Sequence, residues 1–223
     1  MAMKVIITGS TGMVGKGVLY ECLENPAVSD ILIINRTSIG ITSPKLKELI
    51  IPDFFDLENS KNEMKGYDAC FFCLGVSSFR MPEETYSHLT YDLGLNFAKK
   101  FLEQNRDSHF CYVSATGSDS SEKGSVMWAR VRGRLENALF KMDFKSVKIF
   151  RPGFIQPLDG IRSKTKMYNL LYFLFKPFYG ILKHYPKLAT NTQNMGRAMI
   201  HAVEMNEGED ILNNLEINKL ANI

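Results

Sequence analysis

A doubly wound parallel α/β sheet is the fold class this sequence predicts, and three observations carry it. The chain opens on a short apolar run, a glycine-spaced turn and a helix-compatible stretch, in that order. Short apolar runs then alternate with segments of helical periodicity, the pattern of strands covered on both faces. Polar or glycine residues stand at the carboxyl ends of these runs, where open α/β sheets bind ligands.

The first stretch is Lys4 to Gly17, KVIITGSTGMVGKG. Val5, Ile6 and Ile7 suit a buried strand, and Val18, Leu19, Cys22 and Leu23 a following helix. Between them Gly9, Gly12 and Gly15 are spaced G-x-x-G-x-x-G. Strand, glycine turn and helix N-terminus together form the context of a dinucleotide phosphate site. The glycines allow a tight turn, close backbone approach to the pyrophosphate and helix-on-strand packing, and the helix end offers free N–H donors.

With 223 residues, 45% of them apolar, the chain is long enough for one full α/β core, and no linker, repeat or low-complexity tract divides it. One domain over 1–223 is expected, with a cofactor-binding core over 1–154 and a substrate-side segment over 155–223. A net charge of +3 with acids and bases interspersed gives no nucleic-acid surface. The chain runs directly into a core strand, so a cytoplasmic location is expected. Met167 to Leu182, the longest apolar region, is interrupted by Asn169, Lys176, Pro177 and Gly180, which argues against stable membrane insertion. Cys70 and Cys73 have redox-motif spacing but lie in one apolar run, Ala69–Leu74. Strand positions three apart point to opposite faces, so these thiols read as core cysteines, as do Cys22 and Cys111. No histidine joins a ligand cluster, and no metal site is expected.

The second strand, Ile31–Ile34, ends in Asn35-Arg36-Thr37, about twenty residues beyond the last glycine, where an NAD site usually carries an acidic residue. Here Asn35 is neutral and Arg36 follows. A guanidinium grips a 2′-phosphate that a carboxylate would repel, so NADP(H) is preferred over NAD(H). Ser43–Ile51 reads as a short helix or loop leading towards a strand before Asp53. Asp56-Leu57 follows Phe54-Phe55. Asp56 can accept from an adenine amino group, or cap a helix of roughly Ser60–Met64. The fourth strand, Ala69–Leu74, ends at Cys73-Leu74-Gly75. Glu83 to Gln104 reads as a long helix, Phe110–Val113 as the fifth strand running into Ser114, and about Val126 to Met142 as a second long helix. Lys148–Phe150 is a sixth strand closed by Arg151-Pro152-Gly153.

These motifs, in this order, resemble the atypical short-chain dehydrogenase/reductase family. The chain looks closest to its small NAD(P)H-binding branch, which includes Tat-interacting-protein-type oxidoreductases and nitrogen-repression-type cofactor sensors. Thr8-Gly9-Ser10-Thr11-Gly12-Met13-Val14-Gly15 matches the family loop, Asp56-Leu57 its adenine-binding acidic pair and Cys73-Leu74-Gly75 its fourth-strand segment. Arg151-Pro152-Gly153 matches its turn beside the nicotinamide. The resemblance implies a Rossmann-type fold with a small C-terminal helical appendage on the substrate side.

It also implies a catalytic set of a serine after strand five and Tyr-x-x-x-Lys on the next helix. Ser114 fits the serine. Trp128 stands where the tyrosine belongs and Arg132 where the lysine belongs, four residues apart on one helix face. An indole N–H only donates, so Trp128 cannot shuttle a proton, while Arg132 can still bind ribose hydroxyls. Tyr86, Tyr91, Tyr112 or a water are the candidate replacements. The expected function is an oxidoreductase or epimerase-like enzyme on a small apolar carbonyl substrate, or a non-catalytic NADP(H)-dependent regulator.

Met167–Tyr185 is rich in Tyr, Phe and Leu. It reads as a helix pair on the sheet or around an apolar pocket, with self-association as a homodimer and membrane-surface contact as alternatives. Thr192 or Asn194 can cap a helix from about Met195 to Met205, and Ile211–Ile217 reads as a last strand.

Overall fold

The computed structural model describes residues 2–158, 160–161, 186–206, 208 and 210–223. The aromatic segment Met167–Tyr185, with its helix-pair reading, lies outside the described residues. The centre of the fold is a seven-stranded, wholly parallel sheet. The strands are β1 (Met3–Thr8), β2 (Val28–Asn35), β3 (Leu46–Ile50), β4 (Ala69–Phe72), β5 (His109–Val113), β6 (Ser146–Arg151) and, after a short parallel pair β7 (Phe154–Gln156) and β8 (Ala189–Asn191), β9 (Ile211–Asn213). Their spatial order is β3-β2-β1-β4-β5-β6-β9. The winding therefore reverses between β1 and β4, which opens a crevice at their carboxyl ends.

Successive strand residues feed two separate cores, the reason the strands read as unbroken apolar runs. Val5, Ile7, Ile31, Ile33, Ala69, Phe71 and Cys111 face one layer. There they pack with α1 (Met13–Glu24), α5 (Thr192–Met205) and α6 (Asn214–Leu220). Ile6, Leu32, Ile34, Cys70, Phe72, Phe110 and Tyr112 face the other, packing with α3 (Leu93–Gln104) and α4 (Met127–Phe140). Cys70 and Cys73 fall in opposite layers, as strand alternation requires.

The long helix expected over Glu83 to Gln104 is α2 (Glu83–Ser87), one π-turn (His88–Asp92) and α3. Three expectations are corrected. Most of Ser43–Ile51 is strand and not helix or loop, because Leu46–Ile50 pairs with Ile31–Asn35 as the edge strand β3; residues 43–45 form the turn that leads into it. Its Lys and Glu suggest a surface helix, yet suit equally an edge strand with few buried positions. Ile211–Ile217 is not one strand. The ladder with β6 stops at Asn213, whose side chain forms a capping box with Glu216 and starts α6. The cap of α5 is Asn191, whose side chain accepts from the Asn194 N–H; neither Thr192 nor Asn194 serves. Among the described residues no helix is long and apolar enough to cross a membrane.

Candidate cofactor and substrate cleft

The crevice between β1 and β4 is floored by the glycine turn. Gly9 has a φ of +70°, and a Cβ there would lie 2.7 Å from the Cys73 carbonyl oxygen. Only glycine lets the turn lie this close to the end of β4. A Cβ on Gly15 would stand 2.4 Å from the Gly9 oxygen, so α1 rests directly on the turn. Gly12 is the N-cap of α1 and no side chain caps that end. The first-turn N–H groups of α1 consequently keep their donors for an anion.

Three adjoining cavities follow the carboxyl edge of the sheet, and Leu74 lines all of them. The first, about 350 Å³, brings together Gly12, Met13 and Val14 of the helix start, Cys73, Leu74 and Gly75 after β4, and Ser114, Arg132, Pro152 and Gly153. The second, about 340 Å³, is lined by Gly9, Thr11, Asn35, Arg36, Thr37 and Phe54. The third, about 150 Å³, adds Asp53, Phe55 and again Arg36 and Gly75. A glycine turn with free helix-end donors and an elongated groove on both sides fit a nicotinamide dinucleotide: pyrophosphate on the turn, adenosine end towards Arg36, nicotinamide end towards Ser114.

Several expected residues lie elsewhere. Thr8 is fully buried and its hydroxyl has no partner among the described residues. Ser10 is buried too; its hydroxyl and the Asn35 amide hydrogen-bond each other, at 3.1 and 2.8 Å, which ties the turn to β2. Asp56 and Leu57 line none of the three cavities. Leu57 is 1% exposed and packs in the core beneath β2 and β4, and Asp56 points to solvent. Asp56 caps no helix either, since Leu57 is the N-cap residue of the 3₁₀ turn Glu58–Met64. Asp53 and Phe54, three residues earlier, occupy the groove in their place. Trp128 sits in the first turn of α4 with its ring edge against Gly117, off the cavity walls.

Arg132, one turn along α4, does reach the cleft. Its Nε donates to the Tyr86 hydroxyl at 3.0 Å, and Nη1 is 3.4 Å from both the Tyr112 hydroxyl and the Val113 carbonyl. Burial opposes the guanidinium charge, but the phenol oxygens of Tyr112 and Tyr86 outweigh it and hold its pKa above the ordinary arginine value. Tyr112 is pushed up to about 12, chiefly by burial, and Tyr86 is only 1% exposed. Neither phenol lines the cleft. Tyr91 lies beneath the Arg134 guanidinium, 4.1 Å from ring centroid to charge.

A residue that motif reading missed is Glu136, one further turn along the same face of α4. It is wholly buried, accepts from Ser114 Oγ, and forms an ion pair with Arg151, whose Nε lies 3.2 and 3.1 Å from its two oxygens. The spacing Trp128–Arg132–Glu136 carried the signal: three side chains four apart share one helix face.

No family model matches the chain. It is 26% identical to protein HTATIP2 of Rattus norvegicus over 151 residues, 67% of this chain and 61% of that protein. It is 27% identical over 157 residues to the mitochondrial protein fmp52 of Emericella nidulans, covering 68% and 66%. The match thus spans under two thirds of the length of these relatives. Among solved structures, WbmH of Bordetella bronchiseptica in complex with NAD+ superposes with a TM-score of 0.65 at 15% identity, covering 95% of this chain and 74% of that one. UDP-N-acetylglucosamine 4-epimerase of Bacillus cereus gives 0.67 at 17%, covering 97% and 83%. A short-chain dehydrogenase family protein of Francisella tularensis gives 0.65 at 16%, covering 97% and 99%. The motif resemblance and these likenesses agree: the chain is similar to atypical short-chain dehydrogenase/reductase proteins of the Tat-interacting-protein type, and its fold is the Rossmann-type sheet of such dehydrogenases and epimerases.

Proposed function

We propose that the chain is a nicotinamide-dinucleotide-binding oxidoreductase or epimerase-like enzyme acting on a small apolar substrate. One observation carries this reading: the glycine turn with its uncapped helix, Ser114 and Arg132 all line one cleft at the reversal point of the sheet. The cofactor, when bound, supplies hydride transfer. The α1 N–H donors would hold its pyrophosphate, Arg132 its nicotinamide ribose, and Asp53 and Phe54 its adenine. Met13, Val14, Leu74, Val76, Val113 and Ile155 give the cleft an apolar wall.

Arg36 supports NADP(H) as the preferred form. It is exposed on the adenosine-side cavities and makes no ion pair or hydrogen bond among the described residues. A 2′-phosphate would meet a free guanidinium.

A second reading, an NADP(H)-dependent regulator without turnover, is favoured by Trp128 and Arg132. Neither can exchange a proton near neutral pH, and loss of general acid–base help costs about 10²- to 10⁴-fold. NADPH oxidation over a panel of small apolar aldehydes and ketones tests both. Turnover by the native chain supports the enzyme. Turnover only after Trp128→Tyr with Arg132→Lys supports a binding site that has lost its proton donor.

A further inference from the structure

We propose a second ligand site, outside the cofactor cleft, that takes a neutral ring carrying several hydroxyl groups. It lies on the far side of β7. Ile155 lines the cofactor cleft, whereas its neighbours Phe154 and Gln156 line a separate cavity of about 200 Å³. Alternate strand residues point to opposite faces, so β7 is the wall between the two. The other walls come from Pro186 and β8, from Asn191 and Asn194 at the start of α5, and from Asn218 and Asn222 at the end of α6. None of these residues lines the three cavities of the cofactor cleft, so the site is independent of the cofactor reading.

Asn218 fixes the side chains around this cavity. Its Oδ1 accepts from Thr190 Oγ1 at 2.7 Å and from Asn194 Nδ2 at 2.9 Å. Its Nδ2 donates to the Pro186 and Ala189 carbonyls at 2.9 and 2.8 Å. An amide with both donors and both lone pairs used has nothing left for a ligand, but it dictates how its neighbours face. Asn194 commits its Nδ2 to Asn218, and its Oδ1 is unused among the described residues. Asn222 donates its Nδ2 to the Asn218 carbonyl at 2.6 Å and likewise keeps its Oδ1. Asn191 is the reverse: its Oδ1 accepts from the Asn194 N–H at 2.7 Å, and its Nδ2 is the free group. The Gln156 amide has no partner among the described residues.

Acceptors from Asn194 and Asn222, a donor from Asn191 and a Gln156 amide that offers both thus surround one cavity. The described residues that line it include no charged side chain. A charged ligand would give up its hydration there with no opposite charge to replace it. A wholly apolar one would strip water from the amides and leave them unpaired. A hydroxyl donates and accepts at once, so a ring with hydroxyls on adjacent carbons meets this mixed order of groups. Phe154 and Pro186 offer apolar surface to the C–H face of such a ring. The fitting class is a monosaccharide or a cyclic polyol.

Saturation-transfer NMR of the full chain with D-glucose, D-galactose, D-mannose and myo-inositol as probes tests this. At least one should bind saturably with a dissociation constant in the millimolar range, as suits a small neutral ligand held by a few amides. Saturating NADPH should not displace it. Gln156 is half-buried and Asn222 exposed, so Gln156→Ala and Asn222→Ala each remove a free amide without opening the core. Each should weaken that probe about three- to tenfold, with circular dichroism confirming the fold. Binding of none of the four probes overturns the proposal. So does a probe that NADPH displaces, or one whose affinity is unchanged in both variants, because either result places it elsewhere. Tighter binding of glucose 6-phosphate than of glucose overturns the neutral class. A chain that binds a probe and no NADPH supports this site and overturns the cofactor reading alone.

Discussion

Replacing Gly12 and Gly15 one at a time by alanine should separate the two roles of the turn. Gly15 lies inside α1, where a Cβ would stand 2.4 Å from the Gly9 oxygen, 2.6 Å from its carbonyl carbon and 2.9 Å from the Ser10 nitrogen. All three are backbone atoms, so the turn itself must move. Overpacking of this severity costs about 3 kcal/mol, and the better helix propensity of alanine returns about 1 kcal/mol. The net loss of about 2 kcal/mol corresponds to a fall of about 4–8 °C in Tm for a chain of this size. Gly12 differs. Its φ of −88° and ψ of 170° suit alanine, and the nearest atom to an added Cβ is the Gly9 oxygen at 3.2 Å. Gly12→Ala should cost well under about 1 kcal/mol, a shift of no more than about 2–4 °C. Its methyl group would nevertheless stand on the cleft wall where the pyrophosphate is expected, and NADPH affinity should fall about tenfold or more. Thermal melts with NADPH titrations on both variants check this. A Gly12→Ala chain that binds NADPH as tightly as the native one would refute the reasoning, as would a Gly15→Ala chain that melts at the native temperature.

Arg36→Ala should weaken NADPH binding about tenfold or more and change NADH binding less than about threefold, read by calorimetry. His109 is 5% exposed, and its pKa is lowered from 6.5 first by burial and then by Lys145 and Lys148. Its contribution to stability is thus complete above the unfolded-state value and lost as pH falls through the lower folded-state one; urea melts should show this loss below about pH 6.5, and His109→Asn should flatten it. Burial pushes the thiols of Cys22, Cys70 and Cys73 up, and that of Cys111 up to about 12, so a thiolate-selective reagent at pH 8 should label the native chain slowly and the unfolded chain at all four sites. NADPH should slow labelling of Cys73 further, because only that cysteine lines the cleft.

The parts of this fold that could be read in the sequence are those where local chemistry and tertiary context agree. The strands from β1 to β6, apart from β3, declare themselves as apolar runs because both of their faces are covered, and the turn declares itself in its glycine spacing: Gly15 is required by backbone contacts with Gly9 and Ser10 a few residues away, whereas Gly9 is required by the long-range approach of Cys73 and Leu74. Leu46–Ile50 was ambiguous because an edge strand with one paired side leaves its Lys and Glu in solvent, as a surface helix would. The division of Ile211–Ile217 was present in the Asn213–Glu216 capping box, which competes with a β-prone apolar composition. Asp53 and Asp56 cannot be told apart locally, since each precedes a large apolar residue. What separates them is long-range: Leu57 is drawn into the core, and Asp53 is left at the mouth of the groove. Glu136 was hidden for a similar reason. Nothing near it in sequence shows that Ser114, 22 residues earlier, and Arg151, 15 residues later, close on it.

The central claim is that the crevice between β1 and β4 holds a nicotinamide dinucleotide on the glycine turn. A calorimetric titration with NADPH, with NADH as the comparison, tests it most directly. One site per chain is expected, with NADPH bound at least about tenfold tighter than NADH. Binding of neither dinucleotide would contradict it.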